Sequence, residues 1–142
     1  MPPKRKTGSD DEESVLAANR EFYRAFRTRD LGTMERLWAE AIDIVCVHPG
    51  WEALTRRKDV IESWRGILES TETPPIRCQD ESVRFAGEAA VVLCTEMIGD
   101  RALVAINIFV REGGGWRMAL HQATPTARMV AQRSQAPTKT VH

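Results

Sequence analysis

The sequence predicts an α+β domain, with helices in its first half and a curved antiparallel sheet in its second. Three observations predict it. The apolar residues before Pro74-Pro75 recur every three or four positions, whereas those after it form extended runs. Three glycine-bearing breaks, Ala86-Gly87-Glu88, Gly99-Asp100 and Gly113-Gly114-Gly115, divide the second half into four such runs. Between the halves, the stretch 44–68 carries a histidine, a Pro-Gly turn and a tryptophan just ahead of a helix with a strong apolar face.

The chain of 142 residues is long enough for one domain, which at this size buries about two-thirds of its unfolded surface. Residues 1–13 are polar and read as a disordered tail, 14–125 as the domain, and 126–142 as a flexible C-terminal tail. Within the first tail, Ser9 with Glu12 fits a capping box, and Ser14 is a competing cap. Val15, Ala18, Phe22, Ala25 and Phe26 then make one helical stripe ending near Thr28. Asp30 caps a short second helix whose stripe is Leu31, Met34, Leu37 and Trp38. Residues 42–47 are β-branched and apolar, a short strand. His48-Pro49-Gly50 turns the chain: proline pushes the residue before it out of the helical region, and glycine accepts a positive φ.

The third helix runs from Thr55 or Lys58 to Glu69, burying Val60, Ile61, Trp64, Ile67 and Leu68. Strands follow over 76–85, 89–98, 101–111 and 116–123, a four-stranded meander of consecutive hairpins, with Gly99-Asp100 suited to a type II′ turn. Two of them, through Val91-Val92-Leu93-Cys94 and 103–110, are apolar on both faces, so both sheet faces should be covered: one by the helices, the other by a second copy of the chain.

Composition narrows the function. Lysine plus arginine equals aspartate plus glutamate at 20 each, so no global field draws in nucleic acid or an anionic membrane, and neither is an expected partner. No apolar run approaches the roughly 18 residues of a membrane span, residues 1–14 contain no hydrophobic segment of the signal-peptide kind, and three scattered cysteines suit a reduced protein, expected to be cytoplasmic. The three histidines, His48, His121 and His142, are isolated, and no nucleotide, serine-hydrolase or metal motif occurs, so no cofactor and no metal is expected.

The element order resembles the NTF2-like cone, and the residues are similar to its SnoaL-like branch, related to the association domain of calcium/calmodulin-dependent kinase II. The resemblance rests on Glu21-Phe22-Tyr23, Arg29-Asp30-Leu31, Val47-His48-Pro49-Gly50-Trp51 and Val60-Ile61-Glu62-Ser63-Trp64 in the first half. In the sheet it rests on Asn107-Ile108-Phe109-Val110-Arg111, Gly115-Trp116-Arg117-Met118 and His121-Gln122-Ala123-Thr124-Pro125. It implies a conical pocket between helices and sheet, and a homodimer through the outer sheet face.

His48 takes the place that a carboxylate base holds in the related ketosteroid isomerases, and imidazole suits proton transfer near neutrality. The oxyanion donors of those enzymes have no evident counterpart: Phe22 or Tyr23 falls near one, and the apolar pair Val104-Ala105 near the other. That argues against a steroid isomerase. Asn107, the one polar residue inside 103–110, must bond something, because an unpaired buried amide costs about 1–3 kcal/mol. His121 and Gln122 face opposite sides of the last strand, with His121 assigned inward. The expected pocket is therefore Tyr23, Trp51, Trp64, Asn107 and His121, with His48 and His121 as candidate catalytic groups. Arg56-Arg57-Lys58 reads as a solvated basic edge.

Three functions fit: a binding protein for a small apolar molecule, acting as a homodimer; a cofactor-independent isomerase, lyase or hydrolase with His48 as base; or an oligomerisation module.

Overall fold

A computed structural model describes residues 8–126. Lys4-Arg5-Lys6, His142 and most of the expected C-terminal tail lie outside the described residues.

Helix α1 spans Gly8–Thr28, so residues 8–13, assigned to a tail from the sequence, belong to a helix instead. Asp10 and Asp11 occupy its first turn, where carboxylates oppose the positive helix end. Ser14 is not a cap, since its hydroxyl donates back to the Asp10 carbonyl at 3.0 Å. Asp11 is further held by Arg111 from the sheet at 2.8 Å. The helix ends on Arg29 at φ 60, a left-handed position usually given to glycine. Its guanidinium, which donates to the carbonyls of Leu68, Ser70 and Thr73, ties the end of α1 to residues 68–73.

Helix α2 is Leu31–Leu37, and Asp30 caps it by accepting from the Thr33 amide at 3.1 Å. Strand β1 is only Val45–Val47. Helix α3, Arg57–Glu69, buries Val60, Ile61, Trp64 and Leu68. Its first residue departs from the expected basic edge: Arg57 reaches back to the carbonyls of Glu35, Trp38 and Ala39, satisfying the exposed end of α2. The Glu112 carboxylate does the converse, accepting from the amides of Glu40 and Ala41.

Strands β2 (Ile76–Ala86), β3 (Ala89–Ile98), β4 (Arg101–Glu112) and β5 (Gly115–Pro125) form the antiparallel meander. Strand β1 joins its far edge parallel to β5, giving a five-stranded mixed sheet in the order β1-β5-β4-β3-β2. One face of the sheet meets the helices through Ala90, Val92, Ala105, Phe109, Met118 and Ala123, all buried. The other carries Val91, Leu93, Ile106, Ile108 and Leu120 half-buried, with Val104 49% exposed. This apolar outer face is what two-sided strands predict. A bulge between Gln79 and Ser82, with Asp80 at φ 60, turns Glu81 toward α1.

Candidate functional site

The helix-facing side of β3, β4 and β5 carries three polar residues in an otherwise apolar wall: Glu96, Asn107 and His121, each at most 2% exposed. Asn107 and His121 are cross-strand partners, and Glu96 lies opposite Leu103 one strand further on. Helix α1 places Asn19 and Tyr23 one turn apart above them, both buried.

The hydrogen bonds run in one direction only, and the direction is set at the edge. Glu81, paired with Arg20 at 3.0 Å, accepts from Asn19 Nδ2 at 2.7 Å. Asn19 Oδ1 is then an acceptor, and Asn107 Nδ2 donates to it at 2.9 Å and to the Tyr23 hydroxyl at 3.1 Å. Asn107 Oδ1 must therefore accept, and its partner at 2.6 Å is His121 Nδ1, which carries the proton. His121 is left with a bare Nε2. The Tyr23 hydroxyl, having accepted from Asn107, donates to Glu96 Oε2 at 2.6 Å. Asn107 thus finds the partners its burial demands.

Burial pushes the Glu96 carboxyl up to about 7, although the Tyr23 hydrogen bond pulls it the other way. Burial drives His121 down to about 3, with His48 adding to the effect. The two are therefore neutral acid and neutral base, with His121 Nε2 and Glu96 Oε2 3.9 Å apart, too far for a direct hydrogen bond.

His48 follows β1 and points inward, 3% exposed. Its Nε2 is 2.9 Å from the Ser63 hydroxyl, which itself donates to the Val60 carbonyl at 2.7 Å. With its own proton so committed, Ser63 accepts from His48 Nε2–H, and His48 presents a bare Nδ1. Burial lowers His48 to about 4. The rings of His48, Trp64, Phe22 and His121 pack together, with His48 and His121 centroids 6.3 Å apart. The Trp64 N–H meets no oxygen or nitrogen acceptor and leans on the weakly accepting Cys46 sulfur.

Trp51, 49% exposed, stands edge-on to His48 at 4.8 Å, at the rim rather than inside. Its neighbour Gly50 holds φ 81, the positive φ expected of that turn. Tyr23, Trp64, Asn107 and His121 lie in one connected cluster with His48. Val104-Ala105 supplies no acid, but an acid is present one strand over: Glu96, bonded to Tyr23, corrects the expectation that this part of the fold lacks a phenol–carboxyl pair. Sequence reasoning missed Glu96, Asn19 and Ser63. Glu96 had a signal, as the only acid in phase with inward Ala90, Val92 and Cys94, and Asn19 lies on the Val15–Phe22 stripe.

The three cysteines are free thiols. Cys46 lies 3.5 Å from His48 Nε2, and burial raises it to about 12, which makes it inert. A separate cleft of about 160 Å³ lies between the ends of α1 and α3, lined by Phe26, Arg29, Ile67, Leu68, Thr73 and Pro74, and shares no residue with this cluster. Among the described residues no group of three metal-ligating side chains converges, and no helix is long and apolar enough to cross a membrane.

A family model for the SnoaL-like domain matches residues 15–128. The chain belongs to the SnoaL-like family. Its fold is that of the NTF2-like cone, as solved relatives agree. A Streptomyces avermitilis protein of the NTF2-like family, described as a candidate dehydratase, superposes with a TM-score of 0.75 at 35% identity, covering 84% of this chain and 99% of that one. A Thiobacillus denitrificans protein, described as a candidate calcium/calmodulin-dependent protein kinase type II association domain, does so with a TM-score of 0.66 at 29% identity, over 88% and 99%. Among curated proteins, the Arabidopsis thaliana F-box protein SKIP8 is 25% identical over 114 residues, 78% of this chain. This SnoaL-like chain spans about half (49%) of that relative's length.

Proposed function

We propose that this SnoaL-like domain binds a small, largely apolar molecule in the cone and acts as a homodimer through its outer sheet face. One observation carries the reading. The polar ring atoms of His48 and His121 are held inside an aromatic shell of Phe22 and Trp64, rather than turned to solvent. A core built only for stability gains nothing from such groups, because each buried polar atom costs free energy unless bonded. Tyr23, Trp64, Asn107 and His121 form the pocket in this reading, with Trp51 at its mouth, and no cofactor takes part. The apolar outer face, centred on Ile106, Ile108 and Leu93, supports self-association.

A second reading makes the pocket catalytic. Ser63 fixes the His48 tautomer, as a positioned general base requires, and the similar Streptomyces protein is described as a candidate dehydratase. A third, an oligomerisation module, draws on the resemblance to the Thiobacillus protein described as an association domain.

Native mass spectrometry of freshly purified protein tests all three. A dimer retaining a small-molecule adduct is the expected result. Bare monomers overturn the proposal, and a larger assembly without adduct favours the oligomerisation module. A His48→Ala variant that folds and retains the adduct favours binding over catalysis.

A further inference from the structure

The cleft between the ends of α1 and α3 has apolar walls, Phe26, Ile67, Leu68 and Pro74, and is completed by the exposed Arg27 and Arg29. Its volume is about 160 Å³, and an apolar cavity of about 150 Å³ holds one benzene molecule. Its walls are fixed before anything binds. Phe26 stands edge-on to Trp64 at 5.0 Å, and the Arg29 guanidinium holds the carbonyls of Leu68, Ser70 and Thr73. The acceptors around it are already spent. The Phe26 and Ile67 carbonyls accept from the amides of Arg29 and Ser70, both at 3.3 Å, and those of Leu68 and Thr73 from the Arg29 guanidinium at 3.1 and 3.4 Å. The Thr73 hydroxyl donates to the Ile67 carbonyl at 3.4 Å. Arg20 and Arg24, earlier on α1, are paired with Glu81, Glu21 and Asp30. Among the described residues no acceptor engages the Arg27 guanidinium, and no carboxylate lies on Arg29. What the cleft still offers is N–H donors and positive charge.

We propose that this cleft is a second binding site, separate from the cone, for a small aromatic carboxylate. The ring lies between Phe26, Ile67, Leu68 and Pro74, and the carboxylate accepts from the Arg27 guanidinium, whose planar fork matches it. An ammonium ligand of the same shape brings like charge to two arginines. A small hydrated anion such as acetate reaches Arg27 but leaves the apolar walls uncovered. A neutral ring covers the walls and leaves the charge unused. No residue lining the cleft belongs to the cone cluster, so the two sites stand or fall separately.

The test titrates the full chain with benzoate, benzamide, benzylammonium and acetate at neutral pH, following methyl and ¹⁵N resonances. Benzoate should move the Ile67 and Leu68 methyl signals and the Arg27 Nε–H. It should bind about fivefold more tightly than benzamide, the most that one exposed ion pair contributes. Acetate should bind more weakly than benzoate, and benzylammonium more weakly than benzamide. Arg27→Gln should bring benzoate down to the level of benzamide. Arg65→Gln, which removes an α3 arginine paired with Glu62 outside the cleft, should change nothing. Benzamide or benzylammonium binding as tightly as benzoate overturns the carboxylate assignment, and acetate doing so overturns the role of the ring. Equal losses in the two variants, or cleft signals that stay still in all four titrations, overturn the site itself. Shifts confined to His48 and His121 also overturn it, since benzoate would then occupy the cone.

Discussion

Replacing Glu96 by glutamine tests the buried acid directly, through the pH dependence of stability. Glutamine mimics the protonated carboxyl: its carbonyl accepts from Tyr23, and its N–H₂ faces His121 Nε2. The groups facing position 96 are Tyr23 from α1, Cys94 on its own strand, Cys78 across on β2 and His121 on β5. None is a cation at neutral pH, so burial dominates and lifts the carboxyl from 4.5 to about 7. A raised carboxyl favours the folded state below the unfolded value, and that advantage disappears as pH climbs through 7. Holding the charge in the fold at higher pH costs about 3 kcal/mol. His48 and His121 act with the opposite sign. Their folded values, about 4 and about 3, lie below 6.5, so stability is intact above 6.5 and falls as the solution is acidified. The histidines should therefore raise the stability of the wild-type protein as pH climbs toward 6.5, and Glu96 should work against that rise between about pH 4.5 and 7, above which its contribution is level. The Glu96→Gln protein should lose this opposing contribution and gain stability more steeply over that range. Urea unfolding followed by tryptophan fluorescence should find it about 3 kcal/mol more stable than wild type at about pH 8.5, and nearly equal to it at about pH 4.5. The same difference at both pH values refutes the argument, because Glu96 would then titrate like an exposed carboxylate.

Asn107→Leu leaves Asn19 Oδ1, His121 Nδ1–H and the Tyr23 hydroxyl each short of a partner, so urea unfolding should record a loss of about 3 kcal/mol or more. Arg57→Met frees three carbonyls at the end of α2; the same assay should find about 1–2 kcal/mol lost, whereas a merely solvated arginine loses none. Ile106→Lys, centred on the outer sheet face, should convert the proposed dimer to monomer in light scattering while leaving the circular dichroism spectrum unchanged.

The fold was legible because local chemistry and periodicity agreed with the tertiary arrangement at nearly every element. Asp30 could be read as a cap because its acceptor role is local, and the strand limits because glycine breaks mark them. The start of α1 was not legible, since a polar, acidic segment reads equally as tail or as first helical turns. It is the ion pair from Asp11 to Arg111, remote in sequence, that adds to its anchoring. Arg57 misled for the same reason: its partners lie about twenty residues back and become visible only when α2 and α3 pack. The candidate site was half legible. His48, Asn107 and His121 stood out as polar residues in apolar surroundings. Glu96 was passed over, although its phase with Ala90, Val92 and Cys94 along β3 puts it inside.

Ser63 governs which nitrogen His48 presents. Its hydroxyl has one proton, committed to the Val60 carbonyl at 2.7 Å, so the 2.9 Å contact to His48 requires the imidazole to be the donor there. Remove the hydroxyl and only the Cys46 sulfur, at 3.5 Å, remains near Nε2. A thiol is a weak acceptor, and the preference for the Nε2–H tautomer should fall by about tenfold, the worth of one lost hydrogen bond. Ring ¹⁵N shifts read this directly. Wild-type His48 should display a protonated Nε2 and a bare Nδ1 at pH 6.5, and Ser63→Ala should display averaged shifts, with little change in folding stability because Ser63 is only partly buried. A wild-type spectrum with the proton on Nδ1 refutes the assignment. It would also remove the argument that Ser63 positions His48 as the base of the catalytic reading.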